Sequence, residues 1–174
     1  LLNGFFFGGI AGYAFQSAIT DCSVSRTSYT EEPSDDMISN LSKGYYTGGL
    51  TGLSENSVLS DCTVPSDGYL LGNTYVGGIS GGLISTAISG IPNNTLNVYG
   101  RDSIGGITGS LLSGNIESVS NKGIIKAISG YAAGIAPTVP SGSRISACRN
   151  FADVTSLTSY AAAVADINNG TIDG

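Results

Sequence analysis

Small, apolar and polar positions recur along this chain in one fixed order, and no window shows the three-to-four-residue apolar spacing of a helix. Aligned on the second small residue of a Gly-Gly-Ile/Leu core, Gly9, Gly49, Gly78, Gly106, Gly134 and Ala163 form a column. Its first step is 40 residues and the later ones are 28 or 29. The position before it holds Gly8, Gly48, Gly77, Gly105, Ala133 and Ala162; the position after it holds Ile10, Leu50, Ile79, Ile107, Ile135 and Val164. Three residues upstream stand Phe6, Tyr46, Tyr75, Ser103, Tyr131 and Tyr160. Three downstream, Gly12, Gly52, Gly81 and Gly109 give way to Pro137 and Asp166. Further on come Ile19, Leu59, Ile88 and Ile116, with Ile145 one residue late and Ile172 one early.

A unit of this length cannot bury its own apolar face, so the period signals a solenoid, a propeller or another array. Each unit opens with a short aromatic and β-branched run such as Tyr75-Val76-Gly77-Gly78-Ile79, then crosses a small polar pair such as Ser85-Thr86. Glycine is too frequent for stable helices. The pattern predicts a single all-β domain over residues 1–174, six units of about 28 residues stacked as a β-solenoid resembling a parallel β-helix. At a rung spacing near 4.8 Å such a rod is about 30 Å long. Ser-Gly and Asn169-Gly170 are also hairpin turn signals, so stacked β-hairpins are the alternative. Both ends cut through a unit, which predicts a fragment of a longer array.

Strand alternation places the Ile/Leu and aromatic columns together on a buried face. It leaves the small column Ala11, Thr51, Ser80, Thr108, Ala136 and Ala165 outside. The aromatic column, Tyr46, Tyr75, Tyr131 and Tyr160 with Phe6, is nevertheless the candidate recognition surface, because an exposed tyrosine ladder can meet sugar rings or peptide. Alternation favours burial; a bulge at the double glycine would turn the column outward.

The segments Tyr75-Val76-Gly77-Gly78-Ile79-Ser80-Gly81 and Ser103-Ile104-Gly105-Gly106-Ile107-Thr108-Gly109 resemble the GLUG repeat of bacterial secreted and surface proteins, including some IgA peptidases. Ile145-Ser146-Ala147-Cys148-Arg149-Asn150 and Asn121-Lys122-Gly123-Ile124 are similar to the stretches that follow in that repeat. The resemblance spans nearly the whole chain and weakens at Ala136-Pro137 and Ala165-Asp166. It implies an extracellular or cell-surface, nonenzymatic region of a larger bacterial protein.

Composition narrows the chemistry. Charged residues are 11% of the chain and mean hydropathy is positive, the reverse of a disordered sequence. Thirteen acids against seven scattered bases leave no basic patch for phosphates, so nucleic acid is not an expected partner. No apolar run nears the roughly 20 residues of a spanning helix, so membrane insertion is not expected either. Histidine is absent, which removes the commonest general base and zinc ligand. Asp21 and Asp61 share a column without a basic column beside it. No catalytic residue, metal or cofactor is therefore expected.

The long first step carries an insertion with Glu31, Glu32, Asp35 and Asp36, a predicted acidic loop that could hold Ca²⁺ or meet a basic partner, although it lacks EF-hand spacing. Later units make the same connection without it, which predicts that it is dispensable to the fold. Cys22, Cys62 and Cys148 are expected to be free thiols in an apolar column shared with Ile91 and Val119. The expected function is a structural or adhesive repeat module. Its partners would be host or matrix glycans or proteins, or neighbouring repeats of its own chain. The alternative is a carbohydrate-active β-helix enzyme of lyase or hydrolase type, which needs Asp and Lys/Arg gathered on one strand face.

Overall fold

The computed structural model describes residues 5–25, 32–42, 44–64, 68–90 and 93–174. Among them every strand pairs in parallel with its counterpart in the next unit, which excludes stacked hairpins and makes the molecule a β-solenoid. A full unit lays its chain along three sheets in turn. The first sheet carries Phe6–Gly8, Tyr46–Gly48, Tyr69–Gly77, Asn97–Gly105, Ile125–Ala127 and Val154–Ser156, with Ala132–Ala133 and Ala161–Ala162 continuing its last two units. The second holds Ala11–Phe15, Thr51–Glu55, Ser80–Ile84 and Thr108–Leu111, and the third Ala18–Thr20, Val58–Ser60, Thr86–Ser89, Gly114–Glu117, Arg144–Ser146 and Thr171–Asp173.

The sequence columns are the ladder register. Ile19, Leu59, Ile88, Ile116, Ile145 and Ile172 pair successively across the third sheet, including the two that are offset in the alignment. In the first sheet Gly8, Gly48, Gly77, Gly105, Ala133 and Ala162 do the same.

The double glycine is a corner where three backbones crowd together. A Cβ on Gly77 would overlap the Ser80 carbonyl of its own turn, and one on Gly78 would overlap the Gly106 carbonyl of the next rung. The third glycine of the motif has the same cause: a Cβ on Gly81 would come within 2.5 Å of the Thr47 amide nitrogen in the preceding rung's first sheet. In the last two units, where Pro137 and Asp166 replace that glycine, the second sheet stops. A separate pair, Thr138–Val139 with Ile167–Asn168, takes its place.

This corner corrects the assignment of faces. The first-sheet strand ends at Gly77 and the second begins at Ser80, so alternation does not carry from one to the other. Val76, Ile104 and Ala132 therefore point inward and are fully buried, while Tyr75, Ser103 and Tyr131 beside them keep partial exposure. Tyr75 and Ser103 add a left-handed kink, at φ of 55° and 58°. Beyond the corner both Ile79 and Ser80 are buried, so the small column expected outside is inside: Thr51, Ser80 and Thr108 are wholly inaccessible. Their hydroxyls are satisfied there. Thr51 Oγ1 donates to Ser80 Oγ, Ser80 Oγ to the Gly82 carbonyl, and Thr108 Oγ1 to the Ser110 carbonyl.

The other corners use left-handed residues, at Gln16, Asn56 and Ser85 and again at Asp21, Asp61, Gly90, Ser118 and Ala147. The column of Asp21 and Asp61 is thus a turn position, which suits Asp, Asn and Gly. A fourth corner holds an asparagine ladder. Asn94 Nδ2 donates to Asn121 Oδ1 and Asn121 Nδ2 to Asn150 Oδ1, each at 2.8 Å. Each amide also donates to the carbonyl two residues on: Leu96, Gly123 and Ala152. These side chains lie against the anchor glycines Gly78, Gly106 and Gly134, and Val24 and Val64 fill the same place in the first two units.

The insertion folds as a strap. Ser34 accepts the Met37 amide and caps a short helix, Asp35–Ser39. Ile38 and Leu41 bury themselves against Tyr99 on the outer side of the first sheet, with Tyr69, Leu71 and Ile128 packed around them. A segment that leaves after the first unit thereby covers the third, fourth and fifth.

Candidate functional site

Two aromatic stacks run along the outer side of the glycine corner. Phe6, Tyr46 and Tyr75 form the first, with ring centroids 5.5 Å and 4.9 Å apart and planes within 30° of parallel. Tyr131 and Tyr160 form the second, at 6.3 Å and 11°. Ser103 interrupts the column between them. Parallel in-register pairing is what holds the rings together, since residues of one column repeat at the rung spacing. Tyr46 lies over Gly82, where a Cβ would come within 2.7 Å of its ring, so the glycine makes room for the tyrosine. Tyr46, Tyr75 and Tyr131 are half-buried, whereas Tyr160 is 67% exposed.

The alignment missed four rings that extend the first stack. Tyr13 stacks on Phe6, and Phe15 stacks on Tyr13. Phe5 stacks on Tyr45 alongside. The signal is present as Phe5 and as Tyr13-Ala14-Phe15, but Tyr13 and Phe15 stand opposite Leu53 and Glu55 in the next unit, and the Phe5 column is aromatic only as far as Tyr45. Burial, then the neighbouring Tyr75, raises the Tyr46 phenol above the ordinary tyrosine range. The Glu55 carboxylate, accepting its hydrogen bond, does so for Tyr13.

Stacking decides what such a surface can grip. Within each stack the ring faces lie against one another, so the ladder offers edges and hydroxyls along its length. Open faces remain at the flanks and ends, at Phe5 and Phe15 on one unit and at Tyr160 on the last, and Tyr13 between Phe6 and Phe15 is exposed at its edge.

The acidic candidates do not form a common cluster with the tyrosine column. Glu31 lies outside the described residues. Glu32 stands near the Tyr99 hydroxyl, and burial followed by that carboxylate pushes the Tyr99 phenol up to about 12. Asp35 pairs with Lys126 at 2.6 Å. Asp36 is exposed on the helix, and its backbone carbonyl, accepting the Asn40 amides, helps end it. Asp35 therefore fastens the strap to the solenoid, with Glu32 beside Tyr99.

Cys22, Cys62 and Cys148 are free thiols on the inner side of a corner, and Val119 is buried in the same column; Ile91 lies outside the described residues. Cys62 is fully buried, and desolvation raises its thiol above the usual range. No helix of the described residues is long and apolar enough to cross a membrane. No protein-family model, no curated protein and no solved structure matches the chain.

Proposed function

We propose that the chain is a rigid structural or adhesive repeat module of a bacterial surface protein, working outside the cell and binding without catalysis. The observation that carries this reading is the way polar side chains are spent. Asn94, Asn121 and Asn150, together with Thr51, Ser80 and Thr108, hydrogen-bond along the rungs or to nearby backbone, while Asp35 holds the strap. What faces outward repeatedly is aromatic edge and hydroxyl. That surface suits broad, multivalent contact with glycan or protein, whereas a reaction needs polar groups converging on one bond. The GLUG resemblance supports the placement at the cell surface, and neighbouring repeats of the same chain are the other expected partner.

A panel of immobilised polysaccharides and extracellular matrix proteins tests the reading. Weak binding that grows with ligand density and falls several-fold in Tyr13→Ser or Tyr160→Ser supports an adhesive face. Shortened polysaccharide products from the wild-type chain would overturn it in favour of an enzyme. Absence of binding throughout would leave a spacer.

A further inference from the structure

The stacked phenols have a reactivity that contact alone does not use. Tyr46 and Tyr75 hold their centroids 4.9 Å apart with planes 24° from parallel, and Tyr131 and Tyr160 repeat the arrangement at 6.3 Å and 11°. Backbone register maintains both pairs, through Thr47 opposite Val76 and Ala132 opposite Ala161. Every one of these four side chains keeps some contact with solvent. We infer that Tyr46–Tyr75, and secondarily Tyr131–Tyr160, are sites of oxidative cross-linking, each forming a dityrosine staple between adjacent rungs under a peroxidase and hydrogen peroxide.

The chemistry balances as follows. Each phenol gives one electron to the oxidised peroxidase and its hydroxyl proton to water. The resulting phenoxyl radical carries unpaired density on the ring carbons ortho to oxygen. Two such radicals held face to face join in an ortho–ortho C–C bond, and the two ortho hydrogens leave as protons while both oxygens regain theirs. In sum, two tyrosines and one hydrogen peroxide become one dityrosine and two waters. Holding the rings together makes coupling unimolecular, which favours it strongly over encounters between chains.

Other residues of the chain supply the contrasts. Tyr69 and Tyr99 are comparably near, at 5.7 Å, but meet edge-on at 67°, and Tyr99 is 1% exposed. Phe6 continues the stack beyond Tyr46 without a phenol, and Ser103 separates the two pairs. With all three cysteines free, the staple would be a covalent tie between rungs that the thiols do not provide.

The test treats the folded chain at low micromolar concentration with a haem peroxidase and limiting hydrogen peroxide. Dityrosine fluorescence and peptide mass spectrometry are the readouts. The expected product is a monomer, two hydrogens lighter per link, joined mainly at Tyr46–Tyr75 and less at Tyr131–Tyr160. Tyr75→Phe, which keeps the ring and its packing, removes the first link and leaves the second; Tyr160→Phe does the reverse. In urea both specific links disappear. The inference is overturned if the folded chain lacks the Tyr46–Tyr75 link, if that link forms equally in urea, or if Tyr69–Tyr99 couples to a similar extent. None of these results depends on whether the surface binds glycan.

Discussion

Gly106 has no space for a methyl group: a Cβ there would overlap the Gly134 carbonyl and crowd the Asn121 side chain. Backbone cannot swing aside as a side chain does, so Gly106→Ala is expected to cost upward of about 3 kcal/mol, the top of the range for overpacking. Gly142→Ala is the control. It enters open space but at φ of 82°, and left-handed strain alone costs about 1 kcal/mol. Urea midpoints of the two variants would separate close approach from backbone freedom. The glycine columns were readable because every unit needs them, with Ala133, Ala162 and Ala163 appearing only in the last two. Asn121 was harder to see. Its column begins with Val24 and Val64, so the ladder looked like an apolar position that turns polar halfway. Strict alternation puts the hydroxyl column on the wrong side, because it does not carry through the corner between Gly77 and Ser80.

The strap is the element that periodicity described least well, since a segment present once has no column to be compared with. Its four acids suggested a solvated loop, yet Ile38 is completely buried and Ser34 caps a helix. Shortening the insertion should preserve the β-type circular dichroism, because the ladder does not pass through it. The same change should uncover Tyr99 and Leu71 and raise binding of a hydrophobic dye. Ile38→Ala should cost about 2 kcal/mol, the low end for a buried aliphatic truncation at a surface-mounted site. An unchanged urea midpoint would show that the strap merely rests there. The strap should also respond to alkali. The Tyr99 phenol is raised, so its contribution is intact below the ordinary tyrosine value near 10 and is lost as pH climbs from there through about 12. Ionised Tyr99 would then face the Glu32 carboxylate. Tyrosinate absorbance in the Ile38→Ala variant should titrate closer to the ordinary value.

At the scale of the molecule, each rung is stabilised by the two beside it, and the outermost rungs have one neighbour each. Two apolar columns show the result: Ile79 and Ile107 are fully buried whereas Ile10 is 38% exposed, and Ile88 and Ile116 are buried whereas Ile172 is 38% exposed. Amide hydrogen exchange should therefore be slowest in Thr86–Ser89 and Thr108–Leu111 and fastest in Phe6–Gly8 and Thr171–Asp173. Uniform protection along the chain would mean that the rungs open together. The parallel solenoid itself followed from the repeat, because a fixed period with strand-like units has few other ways to close its core. The offsets at Ile145 and Ile172 carry a different lesson. Both residues occupy their ladder positions even though the stretch from anchor to ladder differs in length, eleven residues from Gly134 to Ile145 and nine from Ala163 to Ile172 against ten in earlier units. The corners act as slack in the thread while the faces keep the gauge. A coding sequence built this way absorbs small insertions and losses at its corners while the ladder residues keep their places. The strap, packed across the third to fifth units, is the element that ties particular units to one another.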